Sequence, residues 1–222
     1  MGGAGIGGIR KNLSRWQGIG PGATTASSSN GSNVMYESKA SSVTPEGEPD
    51  GFVAPLQYTP EVSPEGVTRL KVSAGLDRLS EIHQALLRAL SNPLGHLYVQ
   101  LTDRAADQHH GNNPRRWLAM ELELETLLEA IGGATALLYC DGRAQIWIRG
   151  ALGEQVVLDE LGLMYVYPDD PAFRDLLEAL DVTEGHAPAM DDRDYIRVQL
   201  LADADTEEAQ LIEGLGLQPF DA

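Results

Sequence analysis

The spacing of apolar residues predicts four helices. Apolar residues recur at steps of three and four over 75–91, 114–131, 171–180 and 206–214. This periodicity is typical of helices that bury one face and expose the other. These four segments are therefore expected to cover a sheet.

The segment 114–131 carries the strongest helix-boundary signals. Asn113 is a favourable N-cap, Pro114 suits the first helical position, and Gly132-Gly133 ends the pattern. The alternation of Glu and Leu over 120–124 also resembles a strand. The capping residues and the length favour a helix.

Short apolar runs between these segments predict strands. The predicted strands are 97–101, 134–140, 143–148, 154–158, 163–167 and 195–201. Asp141-Gly142 separates two of these runs, and this dipeptide is typical of a tight hairpin. Hairpins mixed with helices indicate an α+β fold, with a mainly antiparallel sheet and the helices packed on one face.

The N-terminal part of the chain has a different composition. Residues 1–66 are rich in Gly, Ser and Pro, and 20–33 is of low complexity. Such a segment buries too little apolar surface to offset its ordering entropy, so we expect a disordered tail before a single domain at 67–222. Segments 9–16 and 52–62 retain aromatic and aliphatic residues. These are either docking segments or incidental linker residues.

The negative charge is concentrated near the C-terminus. Of the formal net charge of −17, −12 lies in 165–222, −4 in 71–164 and −1 in 1–70. This field argues against binding to nucleic acid or to an anionic membrane surface. It suits a basic protein partner, and it also suits solubility alone. The candidate partner-binding residues are Asp191, Asp192, Asp194, Asp203, Asp205, Glu207 and Glu208.

The loop before segment 114–131 holds candidate metal ligands. They are Asp103, Asp107, His109 and His110. Carboxylate and imidazole groups bind zinc, iron or manganese. The spacing matches no established metal motif, so a hydrophilic surface loop is the alternative, and no cofactor is predicted.

The same loop offers a candidate anion site. Asn113, Arg115 and Arg116 stand where the predicted helix begins. Free backbone N–H groups and the positive end of a helix dipole favour an anion there. Alternatively, the two arginines pair with nearby acidic residues.

Motifs for catalysis are weak. The Gly-rich run at 3–8 fits a dinucleotide pattern, but only two residues precede it, so no strand delivers it. Cys140 ends an apolar run and is expected to be a buried thiol rather than a reactive thiolate. The sequence contains no G-x-S-x-G nucleophile motif.

The sequence therefore favours a non-enzymatic protein-binding module: an acidic adaptor, chaperone or inhibitor of a basic partner. One alternative is a small enzyme or a metal- or anion-binding domain that uses the 103–116 loop. Another is a structural or self-assembly protein that docks through its tail. No apolar run approaches the roughly 20 residues of a membrane span, and no secretory signal is recognisable, so we expect a cytoplasmic location.

Overall fold

The computed structural model describes residues 38–104, 106–111, 113–197 and 200–220. The Gly-rich run at 3–8 and the candidate docking segment 9–16 lie outside the described residues.

The described chain alternates short strands with helices. The strands are β1 (Ser41–Ser42), β2 (Gln57–Val62), β3 (Thr68–Ser73), β4 (Leu94–Gln100), β5 (Thr102–Asp103), β6 (Gln108–His109), β7 (Arg115–Leu122), β8 (Ala144–Arg149), β9 (Gln155–Leu158), β10 (Met164–Tyr167), β11 (Thr183–Glu184), β12 (Tyr195–Ile196) and β13 (Gln218–Pro219). The α-helices are α1 (Leu76–Arg88), α2 (Leu124–Gly132), α3 (Pro171–Ala179) and α4 (Asp203–Gly214). A π-helical turn spans Ala136–Cys140, and a 3₁₀ turn spans Met190–Asp192.

Nine of the described strands form one sheet, in the order β11-β2-β3-β10-β9-β8-β4-β7-β13. Its neighbours pair antiparallel, except that β11 runs parallel to β2. Two short ladders, β1 with β12 and β5 with β6, lie outside it. The prediction of an α+β fold with a mainly antiparallel sheet is confirmed.

The core lies between this sheet and the helices. In β4, Leu94, His96 and Tyr98 are all buried, and Leu94 and Tyr98 belong to the core cluster. Helix α1 adds Leu79, Ile82 and other buried residues to the same cluster. An interior strand buried along nearly its whole length and a helix with buried residues at three-to-four-residue spacing thus supply the two sides of one core.

Seven predicted elements are confirmed with small shifts at their ends. They are the helices predicted at 75–91, 171–180 and 206–214 and the strands predicted at 97–101, 143–148, 154–158 and 163–167. Helix α3 shows why such predictions succeed: the Asp170 carboxylate accepts from the Ala172 backbone N–H at 2.8 Å, and Pro171 occupies the first helical position.

The predicted helix 114–131 is wrong in its first half. Residues 115–122 form β7, which pairs with β4 on one side and β13 on the other, and only 124–132 is helical. Trp117 packs against Tyr98 with ring centroids 5.8 Å apart. The alternation over 120–124 overlaps only the end of this strand, and Pro114 is as compatible with the start of a strand as with the start of a helix.

The predicted strand 134–140 and its hairpin are also wrong. All five residues of Ala136–Cys140 are buried in a π-helical turn. An apolar run without alternation does not distinguish a strand from a buried helical turn. Asp141 accepts from the Arg143 backbone N–H at 2.8 Å, so the Asp-Gly pair ends a helical turn instead of joining two strands.

The folded unit begins earlier than the predicted boundary at 66/67. Strand β2 makes a six-residue ladder with β3, and β1 pairs with β12. Most of the segment 52–62, predicted to be linker or docking segment, is therefore part of the main sheet. Within the predicted strand 195–201, Tyr195–Ile196 form β12, and residues 198 and 199 lie outside the described residues.

We expect His96 to make the protein sensitive to acid. Its side chain is fully buried, neither ring nitrogen has a hydrogen-bond partner among the described residues, and burial lowers its pKa from 6.5 to about 3. Between these values the unfolded chain binds a proton that the folded chain excludes, so stability is lost as pH falls below about 6.5. Each pH unit costs about 1.4 kcal/mol in this window.

The variant His96→Leu should lose that part of the pH dependence. Urea unfolding between about pH 4.5 and about pH 7 gives the free energy of unfolding at each pH. Its dependence on pH should correspond to the uptake of about one proton fewer on unfolding in the variant than in the unsubstituted chain. His186→Leu, at an exposed position, is the control. Parallel pH profiles for His96→Leu and the unsubstituted chain would contradict the assignment.

Candidate functional site

A buried arginine joins the two regions that the sequence marks as chemically rich. Arg143 is 1% exposed, and its guanidinium contacts the carboxylates of Asp141 at 2.9 Å, Asp205 at 2.7 Å and Glu208 at 3.1 Å. It also donates to the Leu201 carbonyl at 2.7 Å. Charge-assisted bonds of this kind are among the strongest polar contacts in proteins.

Three parts of the chain supply these groups. Asp141 directly follows the π-helical turn Ala136–Cys140, and its carboxylate also accepts from the Leu201 backbone N–H at 2.6 Å. Asp205 and Glu208 are three residues apart on α4 and therefore lie on the same side of the helix. Burial alone lowers the pKa of Arg143, but the bonds and charge of Asp141, then those of Asp205 and Glu208, raise it above its usual value. The guanidinium therefore stays charged.

The network continues into β4, an interior strand of the main sheet. Glu208 accepts from the Tyr98 hydroxyl and from the Gln100 amide, the latter at 2.8 Å. The side-chain Oε1 atom of Gln100 lies 3.2 Å from the His110 Nε2 atom. Burial, followed by the charge of Glu208, raises the pKa of Tyr98 well above its usual value. Its hydroxyl therefore remains a donor.

The network reaches the surface at Arg104. This side chain forms a two-pronged ion pair with Asp205. The hydrogen bond from Arg104, followed by that from Arg143, lowers the pKa of Asp205. The 103–116 loop and the C-terminal acidic helix, predicted as separate sites, thus share one polar network.

The structure does not gather the four candidate metal ligands around one point. Asp103 accepts from Arg115 at 3.1 Å and from the Ala106 backbone N–H at 3.1 Å. His109 lies 3.0 Å from the Thr102 hydroxyl, and His110 lies beside Gln100. Asp107 is exposed. Among the residues that the structure describes, no group of three or more His, Cys, Asp or Glu side chains is placed to hold a metal.

The candidate anion site was predicted from a helix N-terminus at Asn113, and the structure has a strand after that residue instead. Arg115 and Arg116 lie on β7, so no helix begins at Asn113. Arg115 pairs with Asp103, as the alternative reading expected. The Arg116 guanidinium lies 3.5 Å from the Pro114 carbonyl oxygen.

The seven candidate partner-binding acids divide into internal and exposed groups. Asp205, Glu207 and Glu208 are bonded within the domain, Glu207 by accepting from the Leu137 backbone N–H at 2.7 Å. Asp191 and Asp192 lie near Lys71, at 3.1 and 3.6 Å. Asp194 and Asp203 are exposed, and neither side chain takes part in an ion pair among the described residues. The partner-binding role of the seven residues stays a prediction.

A second buried ionic group was missed, because one member falls in the predicted tail. Lys39 is 2% exposed, and its ammonium donates to the Ala144 carbonyl at 3.2 Å. Burial lowers the pKa of Lys39, partly offset by Asp159. Burial, then the charge of Glu160, raises the pKa of Asp159 to about 7. A lysine beside a Gly/Ser/Pro-rich segment gives no sequence signal for burial.

Other reactive residue types are held in unreactive states. Burial raises the pKa of the Cys140 thiol to about 11. Burial also lowers the pKa of His83, whose Nδ1 atom lies 3.0 Å from the Tyr139 hydroxyl, to about 3. At neutral pH the thiol is therefore protonated and the imidazole is uncharged.

No helix in the described part of the chain is long and apolar enough to cross a membrane. Comparisons with protein-family models, curated proteins and solved structures gave no match.

We expect Arg143→Met to destabilise the protein strongly. The substitution leaves Asp141, which is fully buried, without its cationic partner, and breaking a buried ion pair typically costs about 3–5 kcal/mol. Urea unfolding at neutral pH measures the change. Arg149→Met, at an exposed position on β8, is the matched control. A loss for Arg143→Met no larger than that of the control would show that the network contributes little.

Asp159→Asn should remove a pH dependence of stability opposite in sign to the one that His96→Leu removes. The folded chain holds a proton on Asp159 up to about pH 7 that the unfolded chain releases near 3.8, so this stabilisation is lost as pH rises through about 7. Asparagine keeps an oxygen to accept from the Leu161 and Leu163 N–H groups, both at 2.8 Å.

Urea unfolding between about pH 5 and about pH 8 tests this prediction. As the pH rises across this range, the free energy of unfolding of the unsubstituted chain should fall by more than about 1 kcal/mol relative to that of Asp159→Asn. Asp175→Asn, at an exposed position on α3, is the control. A constant difference between Asp159→Asn and the unsubstituted chain would contradict the buried-acid assignment.

Proposed function

We propose that the chain is a non-enzymatic protein-binding module that captures a basic segment of a partner. This proposal is supported by the excess of acidic side chains that have no basic partner within the described part of the protein. Among the described residues, ion pairs use nine of the 13 basic side chains but only 12 of the 31 acidic ones. The remaining field attracts cations and speeds their association.

The helical layer contributes strongly to this excess. Helices α2 and α4 together carry seven acidic residues and no Lys or Arg. Glu129, Asp203 and Glu213 on these helices are exposed. Regular elements hold charges at fixed positions, and this supports a recognition role beyond solubility.

The unreactive states of Cys140 and His83 support the non-enzymatic part of the proposal. A general base works best with a pKa near the operating pH, and a cysteine nucleophile acts as the thiolate. Burial moves both groups away from those conditions.

Binding to defined peptides tests the proposal. Fluorescence anisotropy would compare a labelled Lys/Ala peptide of about 12 residues with a Gln/Ala peptide of equal length, at about 20 mM and about 300 mM NaCl. The full-length chain should bind the Lys/Ala peptide at low salt and weaken at high salt. Equal signals from the two peptides at low salt would refute the proposal.

A charge-matched pair of variants separates a defined surface from net charge. Asp194→Asn combined with Asp203→Asn should weaken peptide binding by about three-fold or more at low salt. Glu46→Gln combined with Glu48→Gln removes the same charge from an exposed loop and is the control. Equal effects of the two pairs would mean that only the overall charge matters.

A further inference from the structure

A groove runs between α2 and α4 on the helical side of the molecule. Its volume is about 220 Å³, and its lining includes Glu129, Ala130, Gly133, Glu207, Leu211 and Gly214. Cavities for drug-sized ligands measure roughly 300–1,000 Å³. The groove is therefore better matched to one side chain than to a larger molecule.

The electrostatics of the groove favour a cation. Glu129 and Glu207 both line it, and neither of the two helices carries a Lys or Arg to neutralise them. Both helices also place C-terminal residues in the lining, and neither has a basic residue in its last turn. The C-terminal end of a helix carries partial negative charge, which attracts cationic groups.

The shape of the groove suits an amphipathic side chain. Ala130, Gly133 and Gly214 are small, and Leu211, which is 1% exposed, also belongs to the lining. The Glu207 carboxylate is fixed by its bond with the Leu137 N–H at 2.7 Å. Lys and Arg side chains combine an apolar stem with a charged end, so one surface of this kind accommodates both parts.

We propose that this groove holds one Lys or Arg side chain of the basic partner, with the stem along the apolar lining at Ala130 and Leu211 and the charge beside Glu129. The inference rests on the proposed function, since it names where that partner is held. Glu129 supplies an adjustable exposed carboxylate, and Glu207 a fixed one.

Removing one charge tests the proposed contact between the cation and Glu129. With the Lys/Ala peptide at low salt, Glu129→Gln should weaken binding about five-fold. Glu213→Gln, also exposed and on α4 but outside the groove lining, removes the same charge and should change binding less than about two-fold. Equal losses in the two variants would overturn the assignment of Glu129.

Filling the groove tests the steric half without changing charge. A Cβ atom at Gly214 meets no atom within 4 Å, so Gly214→Leu is accommodated and places a bulky side chain at the groove. Gly132→Leu is the matched control, because Gly132 ends α2, has equal space, and does not line the groove. Gly214→Leu should weaken binding about five-fold or more, and Gly132→Leu should not.

The outcomes separate this inference from the proposed function. If the unsubstituted chain does not bind the Lys/Ala peptide, both the proposed function and the groove inference are wrong. If it binds but Glu129→Gln and Gly214→Leu behave like their controls, only the groove assignment fails. A loss with Glu129→Gln alone would place the charge contact outside the groove and would also overturn the inference. Thermal unfolding of each variant confirms that the fold is retained.

Discussion

The buried guanidinium of Arg143 is the constraint on which the arrangement of the domain depends. A charged group at 1% exposure requires compensation for its lost hydration, and the compensating groups come from separate parts of the chain. Asp141 comes from the turn before β8, and Asp205 and Glu208 come from α4. Glu208 in turn accepts from Tyr98 on β4. Neutralising one cation therefore fixes α4 against strand β4 of the sheet.

Because of this arrangement, the acidic residues near the C-terminus do not all have the same role. On sequence alone, Asp203, Asp205, Glu207 and Glu208 form one acidic run. In the structure the last three are bonded within the domain, whereas Asp203 faces solvent. Asp205 and Glu208, three residues apart, share the side of the helix that meets Arg143, and Glu207 accepts instead from the Leu137 N–H. Part of the formal charge thus stabilises the fold, and the rest is available to a partner.

Sequence reasoning succeeded where the pattern of burial is regular and local. Helix α1 and strands β8 to β10 follow their periodicity closely, and so were predicted. It failed where long-range pairing decides, as for 115–122, which is a strand because β4 and β13 flank it. The network around Arg143 joins residues about 60 positions apart, and Lys39 contacts Ala144. Contacts so distant along the chain leave no local periodicity to detect.

The two ends of the main sheet limit how copies of this protein can associate. Strands β11 and β13 each have two residues, and β13 contains Pro219, which has no N–H to donate to a further strand. Short border strands interrupted by proline disfavour the addition of a strand from another chain. A surplus of negative charge further opposes self-association. Growth of the sheet into a continuous intermolecular ladder is thereby disfavoured by the proline at one border and by the short strands at both.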